Sequence, residues 1–416
     1  MARAKTPAAA GGPRRFGPLA KVVTASLVIV MFVVAFELFL RIPGLVTGMP
    51  YYAYDVGTGP RIAPNQSARY IRGQWVRGRY RYNAQGWNHP EDYIVAKPSG
   101  TTRIAMVGDS QVAADQVDVT ETMFIRAQRS MSAAGRPTEW YAFGVSGYGT
   151  AQELEIVRHH ALKYSPDVVV LMFVANDPYD TSPYLVDIEP YYPRYVLDGQ
   201  GDLLRLSQST WSFPWWKREI TQMALFRYFI AQKRIGAKLH HLRNAGAIPV
   251  FGGLPLRADV GTYKNLPIEG LAAMTLLERQ QKTWQLIERL LREMRDECRK
   301  RGAKLAIVYR GWAAEIEAPI APETVDAVAK EADPFCLGPR AREMGREQVA
   351  PIAARLEIPY LDLTSALRAA VANSGKSHHF PDDKHFSTVG HEAAGEALAK
   401  WVADLLPQPD AAKPGN

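Results

Sequence analysis

The pattern of apolar residues divides the chain into one long hydrophobic run and a series of shorter ones. Residues 22–40 (VVTASLVIVMFVVAFELFL) form the long run, and Glu37 is its single charge. At 1.5 Å per residue, a helix of this length spans roughly 28 Å, close to the thickness of the hydrocarbon core of a bilayer. Because the run is apolar on all sides, the pattern favours a transmembrane helix over a buried core helix.

The flanks of this run predict its orientation and its retention. Five basic residues and no acid precede it, which by the positive-inside rule keeps residues 1–21 in the cytoplasm. A cleaved signal peptide is the alternative, but its apolar core would be shorter and small residues would follow it. Here Arg41, Ile42 and Pro43 follow. We therefore expect an uncleaved single-pass anchor in the cell membrane, with the rest of the chain outside the cytoplasm (in the periplasm, if the cell is Gram-negative).

Shorter apolar runs beyond residue 100 alternate with helical patterns. Strands are predicted at residues 103–107, 142–145, 167–174, 247–252, 303–309 and 358–363. Helices are predicted at residues 151–164, 278–301, 343–356 and 391–406. Strands that alternate with helices in this way predict βαβ units and a parallel sheet within residues 101–406.

Two segments depart from this alternation. Residues 41–100 form a leader, in which residues 70–82 alternate aromatic residues with arginines and predict a hairpin with one basic face. Such a face is compatible with nucleic-acid binding, but an exposed strand face is the commoner explanation. Residues 178–270 are predicted to be an insertion, with a hairpin over residues 194–206 that turns at Asp198-Gly199. The last residues, 407–416, are expected to be frayed.

The insertion also carries an aromatic cluster. Its members are Trp211, Phe213, Trp215 and Trp216. A small satellite core is the favoured interpretation, and a platform for carbohydrate or a contact with the membrane surface is the alternative.

The amino-acid composition excludes several classes of protein. The 416 residues are 47% hydrophobic and 22% charged, which excludes collagen-like and disordered chains. The net charge is +8, but residues 1–40 carry half of it, so the charge is a weak argument for nucleic-acid binding and we expect none. Cys298 and Cys336 are compatible with a disulfide or with two free thiols. No Cys/His cluster has metal-ligand spacing, and neither a metal nor a cofactor is expected.

Four short motifs carry candidate chemistry, each near the predicted end of a strand or the start of a helix. Ser110 ends Gly-Asp-Ser directly after the first strand, where a parallel sheet presents its functional residues. Gly147 lies in a glycine-rich turn, and Asn176 follows the strongest apolar run. Asp382 and His385 stand three residues apart before the last helix, a spacing that lets a carboxylate orient an imidazole. Each motif alone is compatible with an ordinary turn or helix cap.

Together and in this order, the four motifs resemble the SGNH hydrolase family, also called GDSL esterases and lipases, over residues 101–406. The resemblance implies a flavodoxin-like three-layer α/β/α sandwich with a parallel sheet. It also implies that Ser110 is the nucleophile, that His385 and Asp382 complete the triad, and that Ser110, Gly147 and Asn176 form the oxyanion hole. Two positions differ from the family pattern without removing a reactive group, Gln111 and Val174.

The expected activity is cleavage of an acyl ester, with an acetyl ester on surface carbohydrate favoured by a looser resemblance to envelope proteins of this family. A polysaccharide O-acetyltransferase with the same acyl-serine chemistry is the first alternative. A non-catalytic glycan-binding or scaffold protein is the second alternative. It is less favoured because all five residues that match the family motifs are present, namely Ser110, Gly147, Asn176, Asp382 and His385.

Overall fold

The computed structural model describes residues 17–186, 188–210, 214–233, 235, 268, 270–319, 341–381 and 383–407. These residues include eleven strands: β1 (Tyr52–Asp55), β2 (Gly59–Ile62), β3 (Gln66–Arg72), β4 (Val76–Tyr82), β5 (Thr102–Gly108), β6 (Thr138–Gly144), β7 (Val168–Val174), β8 (Tyr195–Leu197), β9 (Leu203–Arg205), β10 (Lys304–Arg310) and β11 (Tyr360–Asp362). The described helices are α1 (Pro18–Leu40), α2 (Ser110–Ala113), α3 (Met123–Ala133), α4 (Thr150–Ile156), α5 (Asp177–Thr181), α6 (Trp215–Gln222), α7 (Ala224–Phe226), α8 (Leu276–Lys300), α9 (Ala313–Glu317), α10 (Ala341–Arg355), α11 (Leu363–Ser374) and α12 (Thr388–Leu405). One π-helical turn continues α4 (Val157–Ala161) and another continues α7 (Arg227–Gln232), and short 3-10 turns occupy Val119–Glu121, Leu162–Tyr164 and Leu271–Ala273.

The central element is a five-stranded sheet in the order β11-β10-β7-β5-β6. All of its strand pairs are parallel. Numbered along the chain and read from the edge strand β6, this order is 2-1-3-4-5, which is the flavodoxin-like arrangement. The order reverses between β5 and β7, so the carboxyl ends of these two strands mark the crevice where such sheets place their sites.

Helices cover both faces of this sheet and complete three layers. Residues of β7 alternate between the two sides, with Val169, Leu171 and Phe173 in one apolar core and Val168, Val170 and Met172 in the other. The first core also contains residues of α4, α8 and α10, and the second contains residues of α3, α11 and α12. Burial on both faces explains the unbroken apolar run of β7. The predicted α/β/α sandwich with a parallel sheet is therefore confirmed.

The predicted elements differ from the structure mainly at their ends. Five of the six predicted strands correspond to β5, β6, β7, β10 and β11, and residues 247–252 lie outside the described residues. The strand β6 begins at Thr138, earlier than predicted. The predicted start was too late because Glu139 interrupts the apolar pattern of the strand. As β6 is an edge strand, Glu139 can reach the buried Arg103, whose Nε donates to it at 2.8 Å.

The leader packs onto the helix that follows β5. Its strands β3 and β4 form an antiparallel hairpin, with the side chains of Arg69, Arg77 and Arg79 exposed. The hydroxyl of Tyr82 donates to Asp115 at 2.7 Å, and the Nδ2 of Asn88 donates to the carbonyl of Ala113 at 2.7 Å. These bonds attach the leader to the end of α2 and to the residues directly after it.

The apolar run forms α1, a 23-residue helix with a mean hydropathy of 2.6 over its most apolar window. Only 6% of that window is buried. The helix is long and apolar enough to cross a membrane, and a signal sequence has the same properties. Near its end, Glu37 accepts the backbone N–H groups of Ala224 and Leu225 at 2.9 and 2.8 Å, so α7 is joined to α1.

The aromatic residues of the insertion do not form the expected satellite core where they are described. Trp215 is 74% exposed and Trp216 is 48% exposed, because α6 lies beside α7 rather than on the sheet. Trp211 and Phe213 lie outside the described residues. The thiol of Cys298 is buried within α8, while Cys336 also lies outside the described residues.

Candidate active site

Ser110 is the first residue of α2, directly beyond the carboxyl end of β5. Asp109 caps this helix, and its carboxylate accepts the N–H of Gln111 at 2.9 Å. A Cβ at Gly108 would lie 2.6 Å from the side chain of Val112, so the tight turn from strand to helix requires glycine there. The turn leaves the backbone N–H of Ser110 without an intrahelical acceptor. The side-chain hydroxyl and the backbone N–H of Ser110 therefore lie together at the edge of the sheet.

A short closed loop brings His385 to this serine. The ends of the loop are joined by a bridge between His379 and Phe386, and the N–H of Ser387 donates to the carbonyl of His378 at 2.8 Å. The Nε2 atom of His385 lies 2.8 Å from the Oγ of Ser110. This is the distance at which an imidazole can take the proton of a hydroxyl.

Among the described residues, the carboxylate that contacts His385 is that of Asp383, whereas the resemblance implies Asp382. The Oδ1 of Asp383 is hydrogen-bonded to Nδ1 of His385 and also accepts the backbone N–H of His385 at 3.0 Å. A carboxylate two residues before the histidine makes both bonds within one turn of the loop, as an Asx turn does. Asp382 lies outside the described residues.

The surroundings of Asp383 keep it ionised. Its side chain is only 2% exposed, and burial raises the pKa of the carboxyl group. The hydrogen bond and charge of His385, together with the charge of Arg72, act in the opposite direction and outweigh burial, so the pKa lies below its ordinary value. With Asp383 as the acceptor, Nδ1 of His385 carries the proton and Nε2 is left to accept from Ser110.

Arg72 contributes a charge from the leader to this site. Its Nη1 atom lies 2.9 Å from Oδ2 of Asp383 in an ion pair, on the oxygen that His385 does not use. Arg72 is the last residue of β3, so the leader hairpin borders the site directly.

We expect Arg72→Gln to move the acid limb of the pH profile of kcat/KM for ester cleavage to higher pH, by up to about one unit. The charge of Arg72 lowers the pKa of the Asp383 carboxyl group, so without that charge Asp383 is protonated, and its support of His385 is lost, at a higher pH. The profile is measured from pH 4 to 9 with a soluble aryl ester. Arg77→Gln removes a charge from the same hairpin and is the control. A uniform loss of rate at every pH would show that Arg72 only supports the fold.

A buried hydrogen-bond network supports the loop that carries His385. Arg310, at the carboxyl end of β10, donates from Nη2 to the carbonyl of Lys384 at 2.7 Å and to Nε2 of His379 at 2.8 Å. The Nδ1 of His379 donates in turn to Glu317 at 2.6 Å. Burial lowers the pKa of His379 to about 4, as expected for a neutral ring that both accepts and donates. This network fixes the backbone next to His385.

Gly147 and Asn176 lie in the turns that follow β6 and β7. Gly147 is exposed, and its φ of +80° is the conformation that glycine adopts without strain. Asn176 directly precedes α5, and its Nδ2 donates to Asp180 at 2.7 Å and lies 3.5 Å from the Oδ2 of Asp109. The contact with Asp109 places the Asn176 amide next to the residue that precedes Ser110.

The carboxyl groups behind Asn176 are deeply buried. Glu153 and Asp177 are fully buried, and burial raises the pKa of both well above the ordinary value, with a further rise from neighbouring carboxylates that include Asp109 and Asp180. Each then holds a proton more readily than a free carboxyl group does. This favours a site with little negative charge beside the place where an oxyanion would form.

Two residues of the site were not assigned from the sequence. Asp383 was not assigned, although its position two residues before His385 is visible in the sequence. Arg72 had no such signal, because it lies 311 positions from Asp383 along the chain and only folding brings them together.

The described residues form a flavodoxin-like α/β domain in which a serine contacts an imidazole and the imidazole contacts a carboxylate, at the edge of the sheet. A serine, a histidine and an acid in such contact are the arrangement that serine hydrolases use. No family model matches the chain, and a search of curated proteins gives no match.

Among solved structures, the chain is similar to TesA, with 13% identity and a TM-score of 0.38 over 73% of this chain and 100% of that one. It is also similar to a lipase/acylhydrolase from Enterococcus faecalis, with 15% identity and a TM-score of 0.38 over 74% and 100% of the two chains. A third is the acetyl xylan esterase AlAXEase, with 10% identity and a TM-score of 0.36 over 73% and 100%.

Proposed function

We propose that this protein is a serine esterase in which Ser110, His385 and Asp383 form the catalytic triad. The observation that carries the proposal is the continuous chain of contacts from Ser110 Oγ through both ring nitrogens of His385 to Asp383. His385 takes the hydroxyl proton of Ser110 while Oγ forms a bond to the acyl carbon. The carbon–oxygen bond of the ester then breaks, and His385 gives the proton to the departing alcohol.

The second half of the reaction uses the same groups with water. His385 removes a proton from a water molecule, which attacks the acyl carbon of the acyl-serine. The bond to Oγ breaks, the carboxylic acid leaves, and the proton returns to Ser110. Asp383 holds the ring in its tautomer and stabilises the imidazolium that forms in each half.

The donors for the developing oxyanion are the backbone N–H of Ser110, the N–H of Gly147 and the side-chain amide of Asn176. Each lies in a segment that follows a neighbouring strand of the sheet, β5, β6 or β7. Donors fixed in this way need no reorganisation when charge develops on the acyl oxygen.

Asn176→Ala is expected to remove about 2.7–4 kcal/mol of transition-state stabilisation, which lowers kcat by roughly a hundredfold or more. The loss arises because the amide contacts the oxyanion but not the neutral ester. Steady-state kinetics with an aryl acetate separate kcat from KM, and the melting temperature reports on the loss of the bond to Asp180. A wild-type kcat would exclude Asn176 from the oxyanion hole.

The proposed setting is the outer face of a cell membrane, with α1 as the anchor and residues 41–407 beyond it. The length, hydropathy and exposure of α1 support this setting. The proposed substrate is an acyl ester, in the first place an acetyl ester on envelope carbohydrate. This choice of substrate rests on the resemblance of the motifs to the SGNH hydrolase family and its envelope proteins. Among the described residues, no group of three or more His, Cys, Asp and Glu side chains is arranged to hold a metal ion, and the proposed chemistry uses none.

The fate of the acyl group tests the reaction class. The full chain in detergent is given an aryl acetate, with and without an acetyl-free glycan, and acetate release and glycan acetylation are followed by mass spectrometry. Steady release of acetate without glycan, abolished in Ser110→Ala, is the expected result. Negligible turnover until a glycan is added, with the acetyl group on the glycan, would replace the esterase by an O-acetyltransferase. No turnover under either condition would favour a binding role.

A further inference from the structure

A basic pocket lies where the apolar helix α1 ends. It has a volume of about 410 Å³, and its lining includes Leu40, Arg41, Gly44, Arg69, Arg79 and Arg227. We call it the arginine pocket. Its four arginines come from three separate parts of the chain: the end of α1, the leader hairpin and the π-helical turn after α7. Such convergence of like charge is unfavourable unless an anion offsets it.

The hairpin places two of these charges directly opposite each other. Arg69 of β3 and Arg79 of β4 are paired residues in the register of the hairpin, and both are exposed. Like charges at opposed positions of two strands destabilise the pair. Within the described part of the chain, neither guanidinium forms an ion pair with a carboxylate. Both remain available to an anion from outside.

Arg227 is the most constrained of the four. Its Nη1 donates to the carbonyl of Thr47 at 3.1 Å, while its Nε is buried without an acceptor among the described residues. Burial lowers the pKa of Arg227, and the charge of Arg41 adds to this. An anion in the pocket would stabilise the charged guanidinium and so act against both effects.

Within the part of the chain that the structure describes, the carboxylate next to the pocket already has partners. Glu37 forms an ion pair with Arg41 at 2.9 Å and also accepts two backbone N–H groups at the start of α7. It offsets one of the four charges, so the arginine pocket keeps an excess of three positive charges.

The position of the pocket indicates where its anion comes from. Leu40 is the last residue of α1 and Arg41 follows it, so a membrane that holds α1 ends beside the pocket. On the neighbouring α6, Trp215, Trp216 and Ile220 are 74%, 48% and 42% exposed. Exposed tryptophans beside basic residues are typical of the membrane–water interface.

We propose that the arginine pocket binds the phosphate of an anionic phospholipid headgroup, with α6 lying in the interface beside it. The proposal rests on the membrane anchor assigned to α1. The same hairpin also carries Arg72, three residues after Arg69, and Arg72 forms the ion pair with Asp383. Three residues of a strand span about 10 Å, so a bound headgroup would hold the active site close to the membrane surface.

The test uses the full chain in detergent micelles, titrated with phosphatidylglycerol or phosphatidylcholine and observed by native mass spectrometry. Wild type is expected to retain phosphatidylglycerol preferentially. The double variant Arg69→Gln/Arg79→Gln is expected to bind it at least tenfold more weakly, since two basic residues that attract the anionic headgroup are lost. Arg77→Gln is the matched control, because it removes a charge from the same hairpin outside the pocket. Melting temperatures show whether each variant is folded.

Three outcomes would overturn the proposal. The first is equal retention of phosphatidylglycerol by wild type and the double variant. The second is displacement of the lipid by inorganic phosphate at equal concentration, which would make this a site for free phosphate. The third is stronger, variant-sensitive binding of an acidic oligosaccharide. Carbonate extraction of the wild type from membranes tests the anchor separately, and aryl acetate turnover tests the esterase, so failure of either is distinguishable from failure of the pocket.

Discussion

Ser110→Ala is expected to lower kcat for aryl acetate cleavage by a factor on the order of 10⁶, the loss seen when a triad nucleophile is removed. A fluorophosphonate probe should label Ser110 in the wild type and leave the variant unlabelled. Since the hydroxyl is a weak nucleophile without its base, His385→Ala should also lower the rate of labelling strongly. The measurement is the rate of probe incorporation together with steady-state turnover.

Ser146→Ala is a suitable control for this experiment. Ser146 is exposed and lies in the turn beside Gly147, so the variant removes a hydroxyl near the site without touching the triad. It should label at close to the wild-type rate. Labelling that persists unchanged in Ser110→Ala would place the nucleophile elsewhere.

Asp383→Asn is expected to lower kcat by about 10⁴-fold, because an amide leaves the imidazole in the wrong tautomer and does not stabilise the imidazolium. Asp382→Asn is the matched control: it removes the same charge from the adjacent position of the same loop. The structure pairs His385 with Asp383, so the control should retain most of the activity. Turnover of an aryl acetate by both variants, at a pH where the wild type is fully active, makes the comparison.

The reverse result would identify Asp382 as the acid. A large loss in Asp382→Asn with little loss in Asp383→Asn would mean that the loop changes its pairing in the working enzyme. Equal and moderate losses in both variants would mean that the charge of the loop matters more than a specific hydrogen bond.

The sequence determined the central sheet because burial on both faces leaves a signal that needs no tertiary information. The apolar runs at β5, β7 and β10 are long enough to identify strands on their own, and their alternation with helices implies parallel pairing. The edge strand β6 was placed less well, since one of its positions is polar and pairs with Arg103. The apolar helix α1 was equally clear, because its signal lies in composition alone.

The candidate site was predicted in part for a related reason. Ser110, Asn176 and His385 each follow a strand or precede a helix, and a parallel sheet brings such positions to one edge. What the sequence did not determine was the partner of His385, because Asp382 and Asp383 are adjacent and only the conformation of the loop separates them. That conformation depends on the bridge between His379 and Phe386 and on the support of Arg310.

Contacts between distant segments were decided by the tertiary structure alone. The pattern of residues 70–82 predicts a basic hairpin, but it carries no information that Arg72 reaches Asp383 or that Arg69 and Arg227 meet at the end of α1. Local periodicity reports which side of an element is buried, whereas the identity of its neighbours depends on how separate elements pack. For this protein, the sequence alone established the layers, the apolar helix and the edge that carries the chemistry. Folding decided which charges surround that edge, because long side chains from remote segments meet only in the packed structure.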